Sequence, residues 1–169
     1  MIRKIVSFCV PGVLALAPSI HAAALQPNIV LILVDDLGWM DLSCQGSQYY
    51  ETPNLDRLAA QGMRFTNAYA ACAVCSPTRA AVQTGRYPAR LGVTDWIRSR
   101  FQGGTIPANK KNPIGFTGGK RKFLVPKNAL WMESEEVTIA ELLRPAGYVT
   151  CHIGKWHLGA DDWYPQKQG

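Results

Sequence analysis

The chain contains the run Asn28-Ile-Val-Leu-Ile-Leu-Val34, followed at once by Asp35-Asp36. A continuous apolar run rich in branched residues is typical of a strand buried on both faces, as in the parallel sheets of α/β proteins. Ligands of such open sheets collect outside the carboxyl ends of the strands, where the two carboxylates fall. The run predicts an α/β fold with a mainly parallel sheet flanked by helices, and a site at Asp35 and Asp36.

The next segment continues the alternation of strands and helices. Residues 52–62 carry helix signals, with Thr52 as a capping residue, Pro53 at the first helical position and Gly62 at the stop. Residues 63–68 then have the composition of a short strand. Together these signals predict a strand–helix–strand unit.

Two further helices and one strand follow along the chain. Residues 77–84 predict a helix that opens right after Cys75 and ends at Gly85. Thr138-Ile-Ala-Glu141 forms a capping box, which predicts a helix through Leu143. Residues 148–153 predict a strand.

The first 24 residues have the pattern of an export signal. Arg3 and Lys4 precede a mostly apolar stretch, and Ala22-Ala23-Ala24 offers small residues for cleavage. The apolar stretch is shorter than the roughly 20 residues that span a bilayer, so we expect no stable membrane anchor. Removing Arg3 and Lys4 lowers the formal charge from +6 to +4, too small an excess to favour nucleic acid. We expect an exported protein, periplasmic or extracellular.

Several polar residues are predicted to share one edge of the sheet. Lys155 and His157 follow the strand 148–153, and so they fall at a carboxyl end as Asp35 and Asp36 do. Adjacent carboxylates at a strand end suit a hard cation with oxygen ligands, such as calcium or magnesium. The pair alone is a weak signal, because such pairs are more often helix caps or solvated.

Cys75 joins this group from the start of a helix, where free backbone N–H groups and the helix dipole favour anions. Arg79 is four residues on, so its side chain shares a helical face with Cys75. A fixed cation over a fixed nucleophile is what the transfer of an anionic group needs. Cys72 and Cys75 also form a C-x-x-C pair, which leaves open a thiol enzyme, a structural thiol or a disulfide.

Two longer motifs carry a family resemblance. The first is Cys75-Ser-Pro-Thr-Arg-Ala-Ala-Val-Gln-Thr-Gly85, and the second is Gly147-Tyr-Val-Thr-Cys-His-Ile-Gly-Lys-Trp-His-Leu-Gly159. In this order, after a strand ending in Asp35-Asp36, they resemble the formylglycine-dependent, arylsulfatase-like sulfatases of the alkaline phosphatase superfamily. The resemblance implies that residues 25–169 are the amino-terminal part of a sulfatase catalytic domain, which follows a signal peptide at residues 1–24.

The resemblance implies a covalent mechanism. A formylglycine-generating enzyme would oxidise Cys75 to formylglycine, whose hydrate attacks the sulfur of a sulfate ester and later expels sulfate. Lys155 would contact the sulfate, His157 would hold or deprotonate the hydrate, and Arg79 would hold the oxygens of the nucleophile or the sulfate. His152 matches no functional position of the family.

The same resemblance implies a calcium site, with magnesium as the alternative cation. Asp35 and Asp36 match the calcium-binding Asp pair, and the residue made from Cys75 would face the ion. One position departs from the family pattern, because Thr78 stands where Ser or Ala is usual before the arginine. Threonine adds only a methyl group to serine, so we expect the modification to be tolerated.

Two alternatives stay open beside the thiol enzyme. One is a phosphate- or phosphonate-ester hydrolase of the same superfamily, which normally uses Ser or Thr as its nucleophile. The other is a secreted, non-catalytic binding module. The second catalytic histidine, the second sulfate-binding lysine and the remaining calcium ligands of the family have no matching position here. We therefore expect these 169 residues alone to be inactive and marginally stable.

The resemblance implies that the substrate is a sulfated small molecule or glycan. Residues 98–127 are rich in Gly, Pro, Lys and Asn without a period, which predicts a long surface loop. A substrate rim is predicted from this loop with Tyr49, Tyr50, Trp96 and Arg98, although aromatic residues more often pack inside a fold.

Overall fold

The computed structural model describes residues 26–97, 109–120 and 122–169. The chain divides into two units, residues 1–33 and residues 34–169. The predicted signal peptide and Arg98 lie outside the described residues. In the first unit, residues 26–33 form neither helix nor strand. No helix in the described ranges combines the length and apolarity needed to cross a membrane.

Four α-helices are present in the described part of the second unit. Their bounds are α1 Pro53–Gln61, α2 Cys75–Thr84, α3 Pro88–Leu91 and α4 Ile139–Leu143. Short 3-10 turns occur at Ser43–Gln45, Arg144–Ala146, Asp161–Trp163 and Pro165–Lys167. Local sequence signals account for the helix ends. Pro53 begins α1, Gly85 ends α2 in a left-handed conformation, and Thr138 and Glu141 close a complete capping box on α4.

Two details of the predicted helices are wrong. Helix α2 begins at Cys75 rather than at residue 77, so the cysteine occupies its first turn. Thr52 does not cap α1 with its side chain. Its hydroxyl instead donates to a carboxylate oxygen of Asp56 at 3.0 Å and accepts from the Ser43 backbone at 2.9 Å, because these partners lie within its reach.

The predicted parallel sheet is not confirmed. Residues 28–34, 63–68 and 148–153 form no strand, and the sheet in the described residues is a two-residue antiparallel pair. Strand β1, Phe116–Thr117, pairs with β2, Val125–Pro126, inside the region predicted as a loop. A strand requires hydrogen bonds to a neighbouring strand, which an apolar composition cannot supply. Side chains of the predicted strands accordingly stay exposed, as with Phe65 and Val149.

The core of the second unit lies beside α2. Its buried cluster combines residues from α2, α3, the segment after α3, residues 129–132 and the end of the second motif: Ala80, Leu91, Val93, Ile97, Ala129, Met132, Trp156 and Leu158. Trp131 and Trp163 stack close by, with ring centroids 4.0 Å apart. The Met132 backbone donates to the Leu158 carbonyl at 2.8 Å. This core fixes the second motif against the helix that carries Cys75.

Candidate active site

Helix α2 places Cys75 and Arg79 on one side of its first turn. The helix holds Ser76, Pro77, Arg79 and Ala80 in the buried interior, so this turn cannot shift freely. Arg79 is only 8% exposed. A buried guanidinium requires a counter-charge and hydrogen-bond acceptors, and both come from other parts of the second unit.

Asp35 is the counter-charge of two cations. Arg79 Nη2 donates to Asp35 Oδ1 at 2.8 Å, and Lys155 Nζ bonds Asp35 Oδ2. The Lys155 ammonium, and after it the Arg79 guanidinium, lower the pKa of the Asp35 carboxyl. Arg79 Nη1 also donates to the Lys155 backbone carbonyl at 2.5 Å. The two sequence motifs are therefore joined at one carboxylate.

Lys155 is positioned between Asp35 and Cys75. The Asp35 carboxylate raises the pKa of Lys155 against the opposing effect of desolvation. The Cys75 sulfur acts in the same direction as Asp35, through a hydrogen bond and through the charge of its ionised form. The ammonium is thus held in its charged form next to the thiol. A cation beside the side chain at a helix start is an arrangement that binds an anion.

His157 lies close enough to this cluster to sense its charges. Burial lowers the pKa of His157, the positive charges of Lys155 and Arg79 add to that effect, and a hydrogen bond to Ile97 opposes it. His157 Nε2 lies 2.8 Å from the Ile97 carbonyl oxygen. Trp96 packs edge-on to the imidazole with centroids 5.9 Å apart. The ring is therefore neutral near pH 7.

Two of the predicted site residues have left-handed backbones. Asp36 has φ of 56° and His157 has φ of 62°. Non-glycine residues adopt this region at a cost of about 1–3 kcal/mol when the surrounding structure imposes it, and such positions cluster at functional sites. The strain falls on residues that the sequence singled out for chemistry.

The structure brings together Asp35, Arg79, Lys155 and Cys75, with His157 within electrostatic reach. Asp36 is exposed at its edge. Sequence reasoning missed the carbonyl of Ile97 as a partner of His157. No local pattern marks that role, because the two residues are 60 positions apart and a main-chain acceptor can come from any residue type.

The carboxylates offer the donor chemistry that calcium prefers, but the described residues do not complete a metal site. Calcium takes about six to eight oxygen ligands. Within residues 26–97, 109–120 and 122–169, no group of three or more His, Cys, Asp or Glu side chains is arranged to hold a metal ion. Both oxygens of Asp35 accept from cations. Asp35 and Asp36 fit part of a calcium ligand set.

Cys72, Cys75, Cys44 and Cys151 are free thiols. The disulfide that would have supported a thiol enzyme is therefore not formed between Cys72 and Cys75. Thr78, the departure from the family pattern, donates from its hydroxyl to the Cys72 carbonyl at 2.6 Å. A serine hydroxyl could make the same bond, so threonine and serine are equivalent in this contact.

Among the described residues, two clefts of about 320 and 380 Å³ lie outside the candidate site, one beside α1 and one beside α3 and β2. Of the predicted rim, Trp96 contacts His157, whereas Tyr49 and Tyr50 pack edge to face on each other with centroids 4.9 Å apart.

Comparison with known proteins decides the family. The sulfatase family model matches residues 27–169, which includes every residue of the cluster around Asp35. The chain belongs to the sulfatase family. This family identity confirms the resemblance that the motifs at Cys75–Gly85 and Gly147–Gly159 carry.

Individual sulfatases agree with the family model. The chain is 44% identical to human arylsulfatase A over 86% of this chain and 24% of that protein. It is 40% identical to human steryl-sulfatase over 82% of this chain and 20% of the relative. Human N-acetylgalactosamine-6-sulfatase is 42% identical over 85% of this chain and 24% of its own length.

A solved structure gives the same result for the backbone. The crystal structure of Ps i-CgsB superposes with a TM-score of 0.65 and 35% sequence identity, over 85% of this chain and 26% of that one. The sulfatase chain described here thus spans about a fifth to a quarter of the length of the curated relatives it matches.

Proposed function

We propose that this chain provides the nucleophile and the sulfate-binding cations of an enzyme that hydrolyses sulfate esters. The observation that carries the proposal is the convergence of Arg79 and Lys155 on Asp35, with the Cys75 thiol next to the Lys155 ammonium. One carboxylate holds both cations, and one of them, Lys155, lies next to the nucleophile position. This arrangement matches the negative charge of a sulfate group.

Two buried polar atoms support the same conclusion. Within the described residues, Arg79 Nε and His157 Nδ1 have no hydrogen-bond partner although both are buried. Native structures leave few such atoms, and each is costly unless a ligand or the reaction uses it. One is a donor suited to an anion oxygen, and the other is an acceptor suited to a hydroxyl proton.

The nucleophile we propose is formylglycine made from Cys75 by a formylglycine-generating enzyme. One hydroxyl of its hydrate attacks sulfur and displaces the alcohol of the ester. The second hydroxyl is then deprotonated and expels sulfate, which restores the aldehyde. Unmodified cysteine has a single thiol in place of the two hydroxyls, so it cannot release sulfate by this route. The free thiol of Cys75 at the start of α2 is the form that such an enzyme would oxidise.

The protein's own side chains would divide the work among them. Lys155 and Arg79 hold the sulfate oxygens, and Asp35 keeps both cations in place. His157 is neutral near pH 7 and presents Nδ1 as a proton acceptor. Asp35 and Asp36 would contribute carboxylate oxygens to a calcium ion, or to magnesium as the alternative, whose chemistry is to neutralise sulfate charge. Further ligands for that ion must come from elsewhere.

The substrate is proposed at the level of the sulfate group. The relatives are named for aryl, steryl and N-acetylgalactosamine 6-sulfates, so their names differ in the alcohol and share the sulfate. We also propose that residues 25–169 are the amino-terminal part of a longer catalytic domain, that residues 1–24 direct export, and that a sulfated small molecule or glycan is the substrate. The phosphatase alternative is not favoured, because these relatives are sulfatases.

Sulfate release from an aryl sulfate tests the proposal. The full-length protein, co-expressed with a formylglycine-generating enzyme, should release sulfate. Cys75→Ala should abolish release, whereas the matched variant Cys151→Ala, at an exposed thiol, should retain it. Residues 1–169 alone should be inactive. Equal release by the wild type and Cys75→Ala, or preferential hydrolysis of the corresponding phosphate ester, would overturn the proposal.

A further inference from the structure

His157 is oriented by the segment 94–97. Its Nε2 lies 2.8 Å from the Ile97 carbonyl oxygen, and Trp96 packs edge-on to its ring. A carbonyl oxygen only accepts, so Nε2 must carry the proton of this bond. In a neutral imidazole, Nδ1 is then the acceptor. This contact therefore selects which nitrogen of His157 can take a proton.

The Ile97 peptide is itself fixed from α2. The Ile97 N–H donates to Ser76 Oγ at 3.0 Å, and both residues are buried, at 4% and 0% exposure. Ser76 follows Cys75 directly in the first turn of α2. The partner of His157 and the nucleophile position are thus attached to the same turn of helix.

Asn128 holds the other side of the segment. Its Oδ1 accepts from the backbone N–H groups of Thr94 and Asp95, each at 3.0 Å. Its Nδ2 donates to the carbonyls of Asp95 at 2.9 Å and Trp96 at 3.0 Å. One side chain therefore uses all of its hydrogen-bonding capacity to fix the backbone of residues 94–96.

We propose that Ser76 and Asn128 are positioning residues that hold the Ile97 carbonyl, and through it the Nε2–H tautomer of His157. The lone pair of Nδ1 is thereby kept available as the proton acceptor. The catalytic consequence rests on the proposed function. The tautomer depends on neither the modification nor a substrate, so the two proposals can fail separately.

The tautomer is measured by ¹H–¹⁵N correlation of the imidazole nitrogens in full-length, ¹⁵N-histidine-labelled protein. His157 is assigned as the signal missing from His157→Gln. The wild type should show a protonated Nε2 and an unprotonated Nδ1. Free histidine, whose imidazole exchanges between tautomers in solution, serves as the reference for an averaged signal. A proton on Nδ1 of His157 would overturn the proposal.

Two variants test the positioning residues separately. Ser76→Ala and Asn128→Ala should each move His157 from a single tautomer towards the averaged signal of free histidine. The matched controls are Ser134→Ala, at an exposed serine, and Asn54→Ala, whose side chain only accepts from Arg57. Both controls should leave the His157 signal unchanged. An unchanged signal in both test variants, with folded backbone spectra, would assign the orientation of His157 to other contacts.

Kinetics then separate a positioning role from a structural one. In Ser76→Ala, kcat should fall by about 10-fold to 100-fold, by analogy with the loss of hydrogen-bond partners that orient metal-ligating histidines. KM should stay near the wild-type value, because Lys155 and Arg79 are untouched. A rise in KM as large as the fall in kcat would contradict the positioning role. A wild-type protein that shows the expected tautomer but has no activity would count against the proposed function alone.

Discussion

Arg79 donates a hydrogen bond from Nη1 to the backbone carbonyl of Lys155 at 2.5 Å, across 76 positions of sequence. The same guanidinium donates to Asp35 at 2.8 Å. One buried side chain therefore holds the start of α2, the end of the second motif and the carboxylate pair in a single geometry. Four predictions follow from these contacts and from the core beside them, and a fifth addresses the nucleophile.

Asp35→Asn should destabilise the full-length protein. The variant leaves the buried Arg79 guanidinium without its counter-charge, and an uncompensated buried charge is costly. Because the Asp35 side chain is 29% exposed, we expect a loss of about 2 kcal/mol in the free energy of unfolding. Denaturant titration measures this loss. The matched variant Asp162→Asn removes an exposed ion pair with Lys110 and should cause no measurable change. Equal stabilities for both variants would contradict the role of Asp35.

Lys155→Met should lose activity without unfolding the protein. The ammonium bonds Asp35 and lies beside Cys75, so its removal takes one of two cations away from the proposed sulfate site. We expect kcat/KM for an aryl sulfate to fall by about 10²-fold to 10³-fold, as for the loss of one charge-stabilising donor. Lys167→Met, at an exposed lysine, is the control. Activity close to wild type in Lys155→Met would rule out sulfate binding by this side chain.

The stability of the protein should depend on the protonation of His157. Burial lowers its pKa in the folded state, so the unfolded chain binds the proton more readily, with a pKa of about 6.5. The part of the folding stability that depends on a neutral His157 is fully present above about pH 6.5. It is lost as the pH falls towards the pKa of His157 in the folded state. The free energy of unfolding, measured at several pH values, should decrease as the pH falls through this range. His157→Gln should flatten the decrease, and a decrease as steep as that of the wild type would contradict this role of His157.

Gly159→Ala should disrupt the core that fixes the second motif. Gly159 has φ of 139°, and a Cβ there would lie 2.5 Å from Trp163 Cβ and 2.9 Å from Trp131 Cβ. Overpacking and backbone strain together should cost at least about 2 kcal/mol. Gly154→Ala is the comparison, since its φ is 95° but its Cβ would meet no atom within 4 Å. Thermal unfolding should show the larger loss for Gly159→Ala, and the reverse order would contradict this packing.

Helices α1, α2 and α4 could be predicted because their signals are local, whereas α3, at Pro88–Leu91, was not predicted. Pro53, Gly85 and the Thr138–Glu141 capping box act within one or two turns, and each ends or begins a helix where the sequence indicated. The strands could not be predicted in the same way, because an apolar run such as residues 28–34 forms a strand only where a neighbouring strand supplies hydrogen bonds. In the described residues that partner is not present, and the parallel sheet stays a prediction.

The candidate site shows the same division. The sequence grouped Asp35, Arg79, Lys155 and Cys75 from their motifs, and the structure places them together. Their catalytic and metal-binding roles stay predictions. The contacts that orient His157 were not predictable, since Ser76, Ile97 and Asn128 act through the backbone across long sequence separations.

The central claim is that Cys75 becomes the nucleophile, and the mass of one peptide tests it most directly. Trypsin should release residues 65–79, which contain both Cys72 and Cys75. After co-expression with a formylglycine-generating enzyme, this peptide should carry an aldehyde at position 75 and one alkylatable thiol at Cys72. Two alkylatable thiols, under conditions that modify a known substrate of that enzyme, would contradict the claim.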